Sequence, residues 1–160
     1  MNKRNYVLAA ALVKNLREKG VLISFAESCT GGLIASAITD IAGASEIFLG
    51  SAVTYSNSAK ENILGVRSET LKKYGAVSEE CAKEMAAGSK KIYGSEIAMS
   101  VTGIAGPDGG SAEKPVGTVW FGFASKSENY AFVCHFDGNR EDIRNKTVEK
   151  VLSTILEKMF

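Results

Sequence analysis

The chain has 160 residues, of which 45% are hydrophobic and 23% charged, and its formal net charge is +1. These are the proportions of a soluble globular protein with a real core, read as one domain over residues 1–160. They exclude the strongly basic face of a nucleic-acid binder, and no apolar run reaches the roughly 18 residues of a membrane span.

In chain order, "MNKRNYVLAAALVKNLREKG" opens like a signal peptide but breaks at Lys14. It continues as an amphipathic helix with Tyr6, Ala9, Val13 and Leu16 on one face and Gly20 as its stop. "VLISFA" has the length and continuous apolarity of a strand buried on both faces, and "TGGLIASAITDIA" reads as a helix entered through small residues. "EIFLGSAVTY" is strand-like, and "SNSAKENILG" and "RSETLKKYG" are short helices. "VSEECAKEMAAGSKKIYG" carries Ser78 as N-cap, Ala82, Met85, Ala86 and Ile92 at helical spacing, and Gly94 as its end.

"EIAMSV" is a further strand running into the loop "TGIAGPDGGSAEKP". "VGTVWFGFAS" and "NYAFVCHF", joined by the polar "KSEN", predict an antiparallel hairpin. The last helix starts near Asn139, with Ile143, Thr147, Val148, Val151, Leu152, Ile155 and Leu156 along one stripe. Helices alternating with buried strands predict a three-layer α/β/α sandwich around a mixed, mostly parallel sheet. Cys29, Cys81 and Cys134 form no CxxC pair, which with a single histidine argues against a disulfide scaffold and a structural zinc site and fits a cytoplasmic location.

Three segments follow strands and are rich in Gly, Ser and Thr: "AESCTGG", "TYSNSAK" and "TGIAGPDGG". Ligands of open α/β sheets bind beyond the carboxyl ends of the strands, so these segments would meet at one edge. Any one of them alone is equally a plain turn. The first sets Ser28, Cys29 and Thr30 side by side ahead of Gly31 and Gly32. A strand-to-helix junction offers unpaired N–H groups and the positive end of the helix dipole to an anion or a developing oxyanion. Thr30 reads first as the helix N-cap, and Cys29 rivals Ser28 because a thiolate at a helix N-terminus has a lowered pKa.

The pattern is neither a Walker A loop nor a G-x-S-x-G elbow. His135 sits in an alternating strand pattern, so a Ser-His-Asp triad has little support. The remaining way to activate a serine is a lysine made basic by desolvation or by nearby positive charge. Lys60 is that candidate, against the commoner role of a solvated surface lysine. Arg140 and Arg144 stand one helical turn apart, in line with Thr147, Val148 and Val151. They either grip a phosphate or carboxylate or pair with an acid such as Glu141 or Asp142. Asp108 in "GPDGG" reads as a turn residue, and no Mg²⁺ carboxylate cluster is recognisable.

"AESCTGGLIASAITDIAGAS", "FLGSAVTYSNSAKENILGV", "GAVSEECAKEMA", "VTGIAGPDGG", "EKPVGTVWFGFA" and "FDGNREDIR" together resemble the CinA C-terminal domain family from about Leu12 to the last helix. The chain is one domain long, so within that family it is most similar to the stand-alone, PncC-type nicotinamide mononucleotide deamidases. The resemblance implies hydrolysis of nicotinamide mononucleotide to nicotinate mononucleotide and ammonia in pyridine nucleotide salvage, with no metal and no cofactor. It implies Ser28 as nucleophile, Lys60 as general base and Tyr55 as a supporting catalytic residue. It places Thr30, Gly31, Thr102 and Gly103 along the nucleotide site and Arg140 on the phosphate side. The competing reading is a non-catalytic module of the same fold that senses a nucleotide. A homo-oligomer is expected, with a small-molecule nucleotide as partner and neither nucleic acid nor membrane.

Overall fold

The computed structural model describes residues 2–159. Helix α1 spans Lys3–Lys19, followed by strand β1 (Ile23–Glu27), helix α2 (Leu33–Thr39) and, after a 3₁₀ turn, strand β2 (Phe48–Val53). Helices α3 (Asn57–Leu64), α4 (Ser68–Tyr74) and α5 (Glu79–Tyr93) lead to β3 (Ile97–Gly103), β4 (Thr118–Ala124) and β5 (Asn129–His135). Helix α6 (Arg140–Met159) closes the described chain.

The five strands form one mixed sheet in the order β2-β1-β3-β4-β5. β1 pairs in parallel with both β2 and β3, while β3·β4 and β4·β5 are antiparallel, the latter being the predicted hairpin. Consecutive residues of β1 serve opposite faces, as strand geometry requires. Phe25 packs into the larger core with Leu12, Ile34 and Val151, and Ala26 into a smaller one with Leu64, Cys81 and Met85. α1, α2 and α6 therefore cover one face and α3, α4 and α5 the other, giving the three layers.

Caps end the helices where the sequence places them. Asn2 accepts from the Asn5 N–H, Gly20 stops α1 in the left-handed conformation, and Ser78 caps α5. Two side chains depart from the predicted faces. Tyr6 is 52% exposed, and Asn5 is buried in its place, donating from Nδ2 to the Asn145 carbonyl of α6 at 3.1 Å. Ile92 is exposed, whereas Ser89 is buried and donates to the Phe25 carbonyl of β1 at 2.9 Å. In both cases the buried side-chain donor is satisfied by a backbone carbonyl of a neighbouring element.

Register fixes the working edge. Glu27 lies beside Val53 of β2 and Val101 of β3, so the segments that follow these strands leave the sheet at the same end. Among the described residues, no helix is long and apolar enough to cross a membrane.

Candidate active site

Ser28 is the first residue beyond β1, and its N–H donates to the Val101 carbonyl of β3 at 3.1 Å. The next residues form a tight turn closed by the Gly31 N–H donating to the Ser28 carbonyl at 3.1 Å. Gly31 and Gly32 have φ of 60° and 100°, a backbone that suits glycine, and Gly32 stands at the N-cap of α2. Thr30 is thus not the N-cap that its position suggests. Its hydroxyl donates instead to Glu27 Oε2 at 2.7 Å.

Glu27 is the residue that the sequence reading missed. It is fully buried at the end of β1 and accepts five hydrogen bonds. They come from the Thr30 hydroxyl, the N–H groups of Gly32, Ile34 and Ala35, and the Ser51 hydroxyl. The donors at the start of α2 are therefore already taken by the chain's own carboxylate, which satisfies the helix end and its dipole from within. The only cue in the sequence is an acid interrupting an apolar run just before a strand-to-helix turn.

Lys60 rises from the first turn of α3 into the space under Ser28 and is 1% exposed. Its Nζ lies 3.0 Å from Ser28 Oγ, 2.8 Å from the Thr54 carbonyl oxygen and 3.4 Å from that of Tyr55. Burial lowers the Lys60 pKa from the ordinary lysine value, with Cys81 and Cys29 acting in the opposite sense. A neutral amine has two N–H donors and one lone pair. The two carbonyls can take the donors, which leaves the lone pair facing the Ser28 hydroxyl.

The neighbouring thiol is arranged the other way. Burial pushes the Cys29 thiol up to about 12, against its own backbone hydrogen bond and the influence of Lys60 and Arg144. Cys29 is thus a protonated thiol at neutral pH, and the lowering expected at a helix N-terminus is absent because Glu27 fills that end.

Ser28, Tyr55, Lys60, Thr102, Gly103 and Arg140 line one cleft of about 280 Å³, together with Asp108 and the backbone of residues 104–106. Arg140 donates to the Gly106 carbonyl at 2.8 Å and to the Tyr55 hydroxyl at 3.2 Å, tying α6 to both loops. A second cleft of about 760 Å³ shares Ala105 and Arg140 with the first and adds Arg144, Asn139 and Asn145. Thr30 and Gly31 stand behind the turn, outside the first cleft, and Arg144 donates to the carbonyls of Cys29 and Thr30. Neither Arg140 nor Arg144 forms a salt bridge among the described residues. His135 lies in β5, with Nδ1 3.2 Å from the Thr118 hydroxyl, as its strand pattern suggests. No group of three His, Cys, Asp or Glu that could hold a metal ion occurs among the described residues.

The family model of the CinA C-terminal domain matches residues 5–159. A nicotinamide-nucleotide amidohydrolase, PncC, from Enterobacter agglomerans is 52% identical over 159 residues, covering 99% of this chain and 97% of the relative. A CinA-like protein from Endomicrobium trichonymphae is 51% identical over 98% of this chain, which spans 36% of that longer protein. Among solved structures, a CinA superfamily protein from Klebsiella pneumoniae matches with a TM-score of 0.94 at 34% identity, covering 99% of this chain and 98% of the other. The competence/damage inducible protein CihA from Agrobacterium tumefaciens matches with a TM-score of 0.93 at 41% identity, over 98% and 96% of the two chains.

Proposed function

The chain belongs to the CinA C-terminal domain family, and from that membership we propose that it is an amidohydrolase converting nicotinamide mononucleotide to nicotinate mononucleotide and ammonia. The observation that carries the reading is a serine hydroxyl 3.0 Å from the amine of a lysine that is 1% exposed, at the carboxyl edge of the sheet. A sensor of nucleotides has no need of that pair, and a buried lysine without a carboxylate partner is costly to keep. The near-full-length likeness to a nicotinamide-nucleotide amidohydrolase supports the substrate.

In the proposed reaction, neutral Lys60 takes the Ser28 proton as Oγ attacks the carboxamide carbon. The carbonyl pair moves onto oxygen, and the resulting charge meets the backbone N–H of Cys29 in the turn after Ser28. Lys60 then gives its proton to the departing nitrogen, and ammonia leaves an ester on Ser28. Water, deprotonated by Lys60, attacks that ester, the C–Oγ bond breaks as Lys60 returns the proton to Ser28 Oγ, and the acid product ionises and leaves as the carboxylate. The pyridinium charge of the substrate makes the amide carbon more electrophilic. In this reading Thr102 and Gly103 flank the ring and Arg140 meets the phosphate, supported by its lining both clefts and forming no salt bridge among the described residues. Tyr55 orients this group through its hydroxyl, which accepts from Arg140. We further propose a homo-oligomer, supported by the exposed Leu49 and Val53 on the edge strand β2.

The test is incubation of the protein with nicotinamide mononucleotide, with and without EDTA, following ammonia and nicotinate mononucleotide. The expected result is equal release of both, unaffected by EDTA and abolished in Ser28→Ala and Lys60→Ala. Binding of the nucleotide without release would leave the sensor.

A further inference from the structure

The nucleophile's turn is held from two sides. On one side, Glu27 has taken the N–H groups of Gly32, Ile34 and Ala35, and the Ser28 carbonyl has taken that of Gly31. The Cys29 and Thr30 N–H groups donate to no other residue in any hydrogen bond among the described residues, and of the two only Cys29 lines the cleft, Thr30 being fully buried. On the other side, Arg144 reaches in from α6, donating from Nε to the Cys29 carbonyl at 3.2 Å and from Nη2 to the Thr30 carbonyl at 2.8 Å.

The N–H and C=O of a trans peptide point in opposite directions. A cation anchored on the Thr30 carbonyl therefore fixes the Gly31 N–H of the same peptide, which closes the turn on the Ser28 carbonyl, and the Cys29 N–H shares that carbonyl's peptide. It also polarises the peptide it engages, because hydrogen bonds to a charged donor are stronger and propagate through the group they engage. An arginine on a helix surface ordinarily pairs with an acid or with water. Arg144 pairs with two carbonyls, of the residues at one and two positions beyond the nucleophile.

We infer that Arg144 is a positioning residue of the reaction: its guanidinium locks the turn from Ser28 to Gly31, holding Ser28 Oγ on Lys60 Nζ and aligning the Cys29 N–H with the oxygen of the tetrahedral intermediate. This rests on the amidohydrolase reading above. Arg144 itself touches no reacting atom. It acts when the Oγ–C bond forms, the carbonyl pair moves to oxygen and the Ser28 proton passes to Lys60, since that new charge is what the aligned Cys29 N–H meets.

The experiment compares wild type, Arg144→Ala and Arg144→Lys in turnover of nicotinamide mononucleotide, and measures binding of the same nucleotide to Ser28→Ala with and without Arg144→Ala. Loss of alignment at a reacting centre costs on the order of 10²-fold, so Arg144→Ala should lose about that much kcat with KM and nucleotide affinity unchanged. Arg144→Lys should recover only part, because an ammonium lacks the planar fork that spans two carbonyls. Arg144 lines the cleft of about 760 Å³, so low millimolar guanidinium ion has room to enter and should restore turnover to Arg144→Ala but not to Lys60→Ala. A purely structural role would lower nucleotide affinity along with kcat. Full kcat in Arg144→Ala, or a loss confined to KM and affinity, would overturn the inference while leaving the amidohydrolase intact. A wild-type protein inert toward the nucleotide would overturn both.

Discussion

Glu27 and Lys60 are both buried ionisable side chains beside Ser28, and the fold treats them in opposite ways. Glu27 is surrounded by donors, five of them, drawn from the turn, from α2 and from β2. Lys60 meets two carbonyls and one hydroxyl, and burial lowers its pKa. A carboxylate so fully hydrogen-bonded is part of the architecture: it fixes where α2 begins and hence where Ser28 points. An amine whose charge is disfavoured is available for chemistry, because its neutral form is the one that can accept a proton. Position near the nucleophile does not separate the two roles; the number and kind of partners does.

The sharpest way to break that contrast is Lys60→Met, which keeps the buried stem and removes the amine. Turnover should fall by about 10²–10⁴-fold, the usual contribution of a general acid–base group. Stability should rise by about 0.5–2 kcal/mol near neutral pH, as when other strained functional groups are removed. The sign follows from linkage. Between the lowered folded pKa of Lys60 and its ordinary value, the unfolded chain holds a proton that the folded protein does not, so wild-type stability increases with pH there and is lost as pH falls toward the folded value. Wild-type turnover should climb with pH through the same lowered pKa. Urea titrations of both proteins across pH check this, and a Lys60→Met protein less stable than wild type would class Lys60 with Glu27.

Glu27→Ala tests the other half. It leaves three backbone N–H groups of α2 and two hydroxyls without their acceptor. The cost should be at least about 2 kcal/mol, since each buried donor left unsatisfied carries its own desolvation penalty. Glu27→Gln should cost less, because the amide oxygen still accepts while its NH₂ faces donors. Chemical denaturation measures both. A Glu27→Ala protein as stable as wild type would remove Glu27 from the architecture.

The same contrast explains what the sequence could tell. Three strand-end segments meeting at one edge, the hairpin, and the caps at Gly20 and Ser78 were legible, because apolar length and turn residues carry them, whereas the pairing of Ser28 with Lys60 was implied by the family resemblance. Glu27 was not legible, because three of its five partners are backbone N–H groups, which every residue has and no pattern marks. Arg144 was seen as one of two arginines a turn apart, but its partners are again backbone, the Cys29 and Thr30 carbonyls. Thr30 and Gly31, assigned to the nucleotide by resemblance, stand behind the turn instead of along the cleft. Asn5 likewise turns inward to donate to a backbone carbonyl, that of Asn145 in α6, while Tyr6 is exposed.

Gly88→Ala probes how firmly the Lys60 side is seated. A Cβ there would come within 2.0 Å of the Leu64 carbonyl oxygen, at the end of the helix that carries Lys60. Alanine favours a helix, yet α3 has to shift to admit it. The expected outcome is a loss of about 1–3 kcal/mol, the range for overpacking, with a drop in kcat larger than the drop in affinity. Thermal melts and steady-state kinetics read the two effects. Unchanged kcat would mean that the distance from Ser28 to Lys60 tolerates movement of α3.

Cys29→Ala is the smallest change and the most pointed. Cys29 lies next to Ser28 and lines the same cleft, so it shares the nucleophile's neighbourhood without its partner. With the thiol pushed up to about 12 by burial, almost none is thiolate at neutral pH, and alkylation by iodoacetamide should be slow. Cys29→Ala should keep turnover within a few-fold and cost about 1 kcal/mol of stability, typical of a modest core truncation. Ser28→Cys should behave differently, because a thiol at that position meets the Lys60 amine at the place where Oγ now lies 3.0 Å away. It should be alkylated much faster than Cys29 in the wild type, and the rate difference should shrink when Lys60 is also changed to Met. If Cys29 alkylates as fast as the introduced cysteine, the turn has two reactive positions, and the partner-based distinction between neighbouring side chains fails at its most direct test.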